Sequence, residues 1–207
     1  ELIALLSEEF DYVSVLSTDS KGIRIAISQH SKSIGNQTMT TERGTVVRVY
    51  KDKLYSEYAL DRFDPSNAAL AAAQITEEFN SQFAVLKRCG SAVYETGILS
   101  DEPLELFVEK ETEQLPEEAV LSQLVSMLSA ISDKGMSMSE YMLDCSVTAQ
   151  STHICKLFLT ANRCLRQSYV YSEGGIGAIM SRDGQNRFGY ASISGLGGPE
   201  LFSKLED

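Results

Sequence analysis

Between Glu173 and Ser192 the chain reads Glu-Gly-Gly-Ile-Gly-Ala-Ile-Met-Ser-Arg-Asp-Gly-Gln-Asn-Arg-Phe-Gly-Tyr-Ala-Ser. Asp183-Gly184 divides this stretch into two apolar-rich arms. A two-residue hairpin turn of type I′ needs positive φ, which Gly tolerates, so the dipeptide predicts a tight turn. Ile176, Ala178 and Met180 alternate on one arm, and Phe188, Tyr190 and Ser192 on the other. The expectation is two antiparallel strands sharing one packed face.

A worn copy of this phrase lies earlier, from Glu42 to Ala59. Glu42 aligns with Glu173, Gly44 with Gly175 and Asp52 with Asp183; Tyr58-Ala59 aligns with Tyr190-Ala191 after a one-residue insertion. A long phrase occurring twice points to a duplicated domain rather than a solenoid. Chance similarity between two hairpins is the alternative.

At 207 residues the chain has room for one large domain or two small ones. With 43% hydrophobic and 23% charged residues it has the composition of an ordinary globular protein. It has no apolar run of about 18 residues, so no membrane span is expected. The first residue is Glu, with no signal-peptide pattern after it, which reads as a processing boundary. The net charge of −11 is uneven: the segment from Asp101 to Val120 supplies −7 and the rest about −4. An acidic chain without a basic stripe is a poor nucleic-acid binder, because phosphates are held by Lys and Arg clusters. Cys89, Cys145, Cys155 and Cys164 form no Cys-x-x-Cys pair and no secreted disulfide framework. Cys145 and Cys155 lie in strand-like segments and are expected to be buried, and the compartment to be reducing and cytoplasmic.

Along the chain, Leu2 to Leu6 reads as a helix end. Tyr12 to Leu16 and Gly22 to Ile27 read as strands, with a weak further edge strand within Ser28 to Thr41. Val46 to Tyr50 and Leu54 to Leu60 form the first hairpin copy. Asp64-Pro65 then opens a helix with Ala68, Ala72, Ile75 and Phe79 on one face. Ser91 to Glu113 reads as an extended acidic connector. Pro116 starts a second helix, with Glu117 and Glu118 on its positive end and a stripe of Leu121, Leu124, Leu128 and Ile131. Strands follow at Tyr141–Val147, Ile154–Leu159 and Leu165–Tyr171, then the hairpin, then a last helix opened by Gly195 to Glu200.

Glu42 to Tyr50, Tyr58-Ala59 and the helix after Asp64 in the first half, with Lys156 to Asn162, Glu173 to Ser192 and Gly195 to Leu201 in the second, resemble the N-terminal half of the TldD/PmbA family. These are the metallopeptidases once called modulators of DNA gyrase. The resemblance covers nearly the whole chain; Val46 and Ser56 stand where the family pattern has glycine, which marks a divergent member. The resemblance implies a His-Glu-x-x-x-His zinc motif in a helix beyond this sequence, a further ligand in the C-terminal half, and action as a dimer with itself or a related chain.

The residues themselves offer little chemistry. His30 and His153 are far apart and neither precedes Glu, whereas a zinc peptidase needs two imidazoles one helical turn apart and a base. His30 is expected in solvent and His153 in a turn. A His153–Cys164 metal site lacks further ligands. Gly-x-Ser-x-Gly is absent. Gly174 to Gly177 precedes a strand, so it is not a phosphate loop. Gly195 to Gly198 opens a helix and is the better anion site, though a plain helix start is the simpler reading. Glu117-Glu118 is expected to be solvated.

The expected fold is α+β, with two related units, each an antiparallel sheet backed by helices. The first spans 1–90, an acidic connector 91–115, and the second 116–207. The expected function is the non-catalytic N-terminal region of a TldD/PmbA-type zinc metallopeptidase, which shapes the dimer interface and guides unfolded peptide to a metal site outside this chain. A stand-alone binding or assembly module is the alternative. No catalytic, cofactor-binding or metal residue is assigned, and the chain alone is expected to be inactive. The stretch Ser28 to Thr41, low in charge, is the expected sticky edge for a partner or peptide.

Overall fold

The computed structural model describes residues 1–38, 40–52, 54–89, 102–109 and 112–206. The chain is a mostly antiparallel β-sheet with helices, an α+β protein as its sequence predicts. In chain order it has helix α1 (Leu2–Leu6), strands β1 (Tyr12–Ile27), β2 (Lys32–Gly35), β3 (Gly44–Lys51) and β4 (Leu54–Leu60), and helix α2 (Ala68–Cys89). Strand β5 (Leu104–Glu109), helix α3 (Leu121–Ser137) and strands β6 (Met142–Leu159), β7 (Arg163–Arg182) and β8 (Gln185–Leu196) follow. Three 3-10 turns, Pro65–Asn67, Pro116–Glu118 and Pro199–Leu205, each begin with proline, where a helical N–H would lack a partner anyway.

Two compact units emerge. The first comprises Glu1–Asp19, Arg43–Val108 and Lys156–Gln167; the second comprises Ser20–Glu42, Glu109–Cys155 and Ser168–Asp207. Strands β1, β6 and β7 are each long enough to contribute residues to both.

In the first unit the strand order is β4-β3-β1, with β3 registered on β1 from Tyr12↔Tyr50 to Thr18↔Gly44. Alternation sends Val13 and Val15 of β1 and Val47 and Val49 of β3 into one core. The Asp64 carboxylate accepts the Ser66 N–H at 2.9 Å and caps the turn that leads into α2. Ala68, Ala72, Ile75, Phe79 and Phe83 follow the helical period and close that core. Phe10 meets Phe79 edge to face at 5.6 Å. Full burial of a side chain such as Phe79 stabilises by about 1.5–3 kcal/mol.

In the second unit the order is β2-β1-β6-β7-β8. Ile23, Ile25 and Ile27 of β1 and Val147 and Ala149 of β6 pack against Leu124, Leu128 and Ile131 of α3. Phe202 and Leu205 of the last 3-10 turn complete this core. Asp183 (φ 52°) and Gly184 (φ 74°) form the two-residue turn between β7 and β8, flanked by Arg182↔Gln185, as the dipeptide predicts.

Several expectations are corrected. Ile176, Ala178 and Met180 pair with Ala191, Gly189 and Arg187, whereas Tyr190 and Phe188 pair with Gly177 and Ile179. Cross-strand partners share a face, so the two apolar sets lie on opposite faces, and Phe188 and Tyr190 are exposed rather than packed. The short strands predicted around His153 are one 18-residue strand, which puts that residue mid-strand instead of in a turn. Among the described residues of Ser28 to Thr41, only Lys32–Gly35 is a strand. Pro116–Glu118 does not run on into α3, because Ala119 is extended (ψ 138°). The last predicted helix is a 3-10 turn. Within the predicted connector, Leu104–Glu109 is a strand, while 91–101, 110 and 111 lie outside the described residues. Cys145 is buried, but Cys155 is exposed.

Candidate functional site

Side chains of β6 and β7 alternate between two faces of the second unit. One face meets α3 and the last 3-10 turn. The other carries Ser146, Thr148 and Gln150 of β6, Glu173, Gly175 and Gly177 of β7, and Phe188, Tyr190 and Ser192 of β8. With Arg24 of β1 they line an open polar groove of about 440 Å³.

Glycine shapes that groove. A Cβ on Gly175 would lie 2.5 Å from the Tyr190 hydroxyl, and one on Gly177 would lie 3.4 Å from the Phe188 ring. Each ring therefore leans across a bare stretch of β7 and turns a polar sheet face into one with two aromatic walls. The Gln150 amide donates to the Glu173 carboxylate, and Ser146 Oγ donates to the Gly177 carbonyl at 3.2 Å. These groups can accept and donate to an extended backbone; they include no nucleophile with a base beside it.

The face toward α3 holds a second, apolar cavity of about 600 Å³. Ile131, Met138, Met142, Ile176 and Ala178 contribute to it, and Gly189 leaves it unfilled, since a Cβ there would touch nothing within 4 Å.

On that same face of β6, farther along the strand, His153 stands in a network. Its Nδ1 lies 2.9 Å from Glu117 Oε1, and its Nε2 lies 2.9 Å from Ser168 Oγ and 3.3 Å from Cys155 Sγ. A carboxylate only accepts, so Nδ1 carries the proton and Nε2 faces the hydroxyl and the thiol. Burial raises the Glu117 carboxyl, but the hydrogen bond from His153, its own backbone N–H and the charges of His153 and Lys21 outweigh it and hold the group below the usual range. Glu117, expected in solvent, is thus a ligand of the imidazole; the break at Ala119 leaves the Pro116–Glu118 turn free to point it there.

His30 is exposed, as expected. Cys164 lies four residues before Ser168 on β7, about 13 Å along the strand, and is not part of the His153 network. Among the described residues no group of three or more His, Cys, Asp or Glu is arranged to hold a metal ion. His30 and His153 do not form the pair of imidazoles one helical turn apart that such a zinc site needs. Gly174 to Gly177 lies mid-strand. At Gly195 to Gly198 the anion position is already filled: Gly198 N–H donates to Glu200 Oε1 at 2.6 Å, and Thr112 Oγ1 donates to the same oxygen at 2.9 Å. Burial raises the Glu200 carboxyl; these bonds and the N–H groups of Glu200 and Glu113 bring it below its ordinary value. Among the described residues no helix is long and apolar enough to cross a membrane.

Sequence reasoning missed the Glu117–His153–Ser168–Cys155 network. His153 and Cys155, two apart in a strand, share a face by the strand period alone. Nothing local indicates that Glu117, 36 residues away, meets them.

No protein-family model and no curated protein matches the sequence. Solved structures do. A protein described as a modulator of DNA gyrase from Bacteroides thetaiotaomicron superposes with a TM-score of 0.70 at 11% identity, over 95% of this chain and 44% of that one. TldE from Thermococcus kodakarensis gives 0.66 at 14% identity, over 93% and 42%. A protein described as a modulator of DNA gyrase from Thermotoga maritima gives 0.64 at 12% identity, over 99% and 45%. The chain spans less than half the length of these structures.

Proposed function

We propose that this chain, which carries a partial TldD/PmbA-like fold, is a non-catalytic region of a TldD/PmbA-type assembly that holds an extended peptide against β8 and shapes a dimer interface. The observation that carries the reading is β8 itself. It is a 12-residue strand, nearly all exposed, with one charged residue (Arg187) and no proline. Among the described residues its partner strand is β7 alone. Natural proteins blunt such edges with charge, proline or a cover, because unpaired N–H and C=O groups recruit another strand. Strand addition holds a peptide through its backbone, which suits substrates of varied sequence. The groove under Tyr190 and Phe188 offers room for alternate side chains.

The same edge can take a partner chain, so dimerisation and peptide binding compete. The expected edge at Ser28 to Thr41 is a weaker candidate, since β2 has four residues and Gln37 lies outside it. Two related units remain part of this proposal. In both hairpins an Asp follows the first strand, and Asp52 and Asp183 share a φ of 52°.

Fluorescence anisotropy of a labelled unfolded peptide titrated with the chain tests the reading. Saturable binding that Tyr190→Ala weakens supports it. Absence of binding, or binding indifferent to both Tyr190→Ala and Phe188→Ala, contradicts it.

A further inference from the structure

The His153 network plays no part in the groove, and its chemistry is of another kind. We propose that Cys155 is a histidine-activated thiol that forms reversible mixed disulfides with small disulfides. Cys155 is exposed, and its sulfur lies 3.3 Å from His153 Nε2. The ring is held in place from its far side by Glu117, with its side chain only 15% exposed. A carboxylate on Nδ1 fixes the tautomer that leaves Nε2 open to accept a proton, and it stabilises the imidazolium once formed. The groups facing the thiol and ring are Glu117 from the Pro116–Glu118 turn, Lys21 from β1, 3.8 Å from Glu117, and Ser168 from β7.

Ser168 is as near to Nε2 as a serine nucleophile would be, yet the chemistry favours sulfur. A serine attack produces an oxyanion that needs preorganised donors, and here the nearby backbone N–H groups belong to paired strands. A thiolate attacks a disulfide sulfur directly and needs no oxyanion hole. Ser168 Oγ accepts from the Cys155 thiol at 3.9 Å.

The step balances without a further oxidant. The Cys155 proton moves to Nε2. The thiolate attacks one sulfur of the disulfide; the new S–S bond forms as the old one breaks. The departing thiolate takes the proton from the imidazolium. The chain contains its own comparison: Cys89, at the end of α2, is also exposed.

Reaction of the full chain with dithiodipyridine, followed cysteine by cysteine with mass spectrometry across about pH 5 to 9, tests this. The expected result is a Cys155 rate–pH midpoint at least about one unit below that of Cys89, and a rate about tenfold faster near pH 6.5. His153→Gln should move the Cys155 midpoint up to that of Cys89, and Glu117→Gln should move it part of the way. Circular dichroism establishes that each variant is folded. If His153→Gln does not fold, Glu117→Gln decides. A Cys155 midpoint equal to that of Cys89, or one that the folded variants leave unmoved, overturns the proposal.

Discussion

The hairpins β3–β4 and β7–β8 begin alike and end differently. Each has an Asp, Asp52 or Asp183, at a φ of 52° after its first strand, and each has an unbroken ladder running back from there. Counted from the turn, Val47, Val49 and Tyr58 of the first correspond to Ala178, Met180 and Gly189 of the second. The first set is bulky and lies under α2: Val47 and Val49 are fully buried, and the Tyr58 ring meets Phe79 at 6.4 Å. The second set is smaller and leaves a cavity. Tyr58 and Tyr190, aligned in the sequence through an insertion, sit one residue apart by register and so face opposite ways. Turn chemistry makes a hairpin; side-chain volume on one face decides whether it becomes core or an open surface.

The largest effect that would break this contrast is loss of the covering ring. Phe79→Ala should destabilise the chain by about 3–5 kcal/mol in urea unfolding, while Phe188→Ala stays within about 0.5 kcal/mol of the parent. Equal effects would mean the two hairpins are covered alike. Gly184→Val puts a β-branched side chain at positive φ and should cost about 1–3 kcal/mol, read as a lower melting temperature. An unchanged melting curve would refute the turn.

Gly189→Val should work in the opposite direction. It places a side chain in the apolar cavity where nothing lies within 4 Å, and it should stabilise by about 0.5–1 kcal/mol. A loss would show that the cavity is not free to fill. The smallest effect concerns Glu117. Its folded carboxyl is held below the ordinary value, so its contribution is present above that value and disappears as pH falls through the folded one. Glu117→Gln should therefore trail the parent at neutral pH and converge with it in acid; a gap that persists in acid would rule out the His153 pairing.

Local signals were legible in the sequence. The Asp183-Gly184 turn, the Asp64 cap and the α2 stripe from Ala68 to Phe79 each follow from a few adjacent residues, and each is in place. Strand faces were not legible. Both arms of β7–β8 show an apolar alternation, and only the register says that the two sets point apart. The length of β6 was hidden because Gln150, Ser151 and Thr152 look like a polar loop, yet they are buried inside the strand, with Ser151 accepting from Ser172 at 2.8 Å. The His153 network was half legible, through the spacing of His153 and Cys155; Glu117 reaches it from another element.

The central claim is that β8 is an edge open on its face as well as its side, whereas β4, also last in its strand order and paired to β3, carries the charged Glu57 and packs one face under α2. Hydrogen exchange with and without a reduced, carboxymethylated polypeptide measures this directly. The account predicts slowed amide exchange across Gln185–Leu196 on addition of the polypeptide and no change across Leu54–Leu60. Protection confined to Leu54–Leu60, or no protection in β8 at saturating polypeptide, would contradict it.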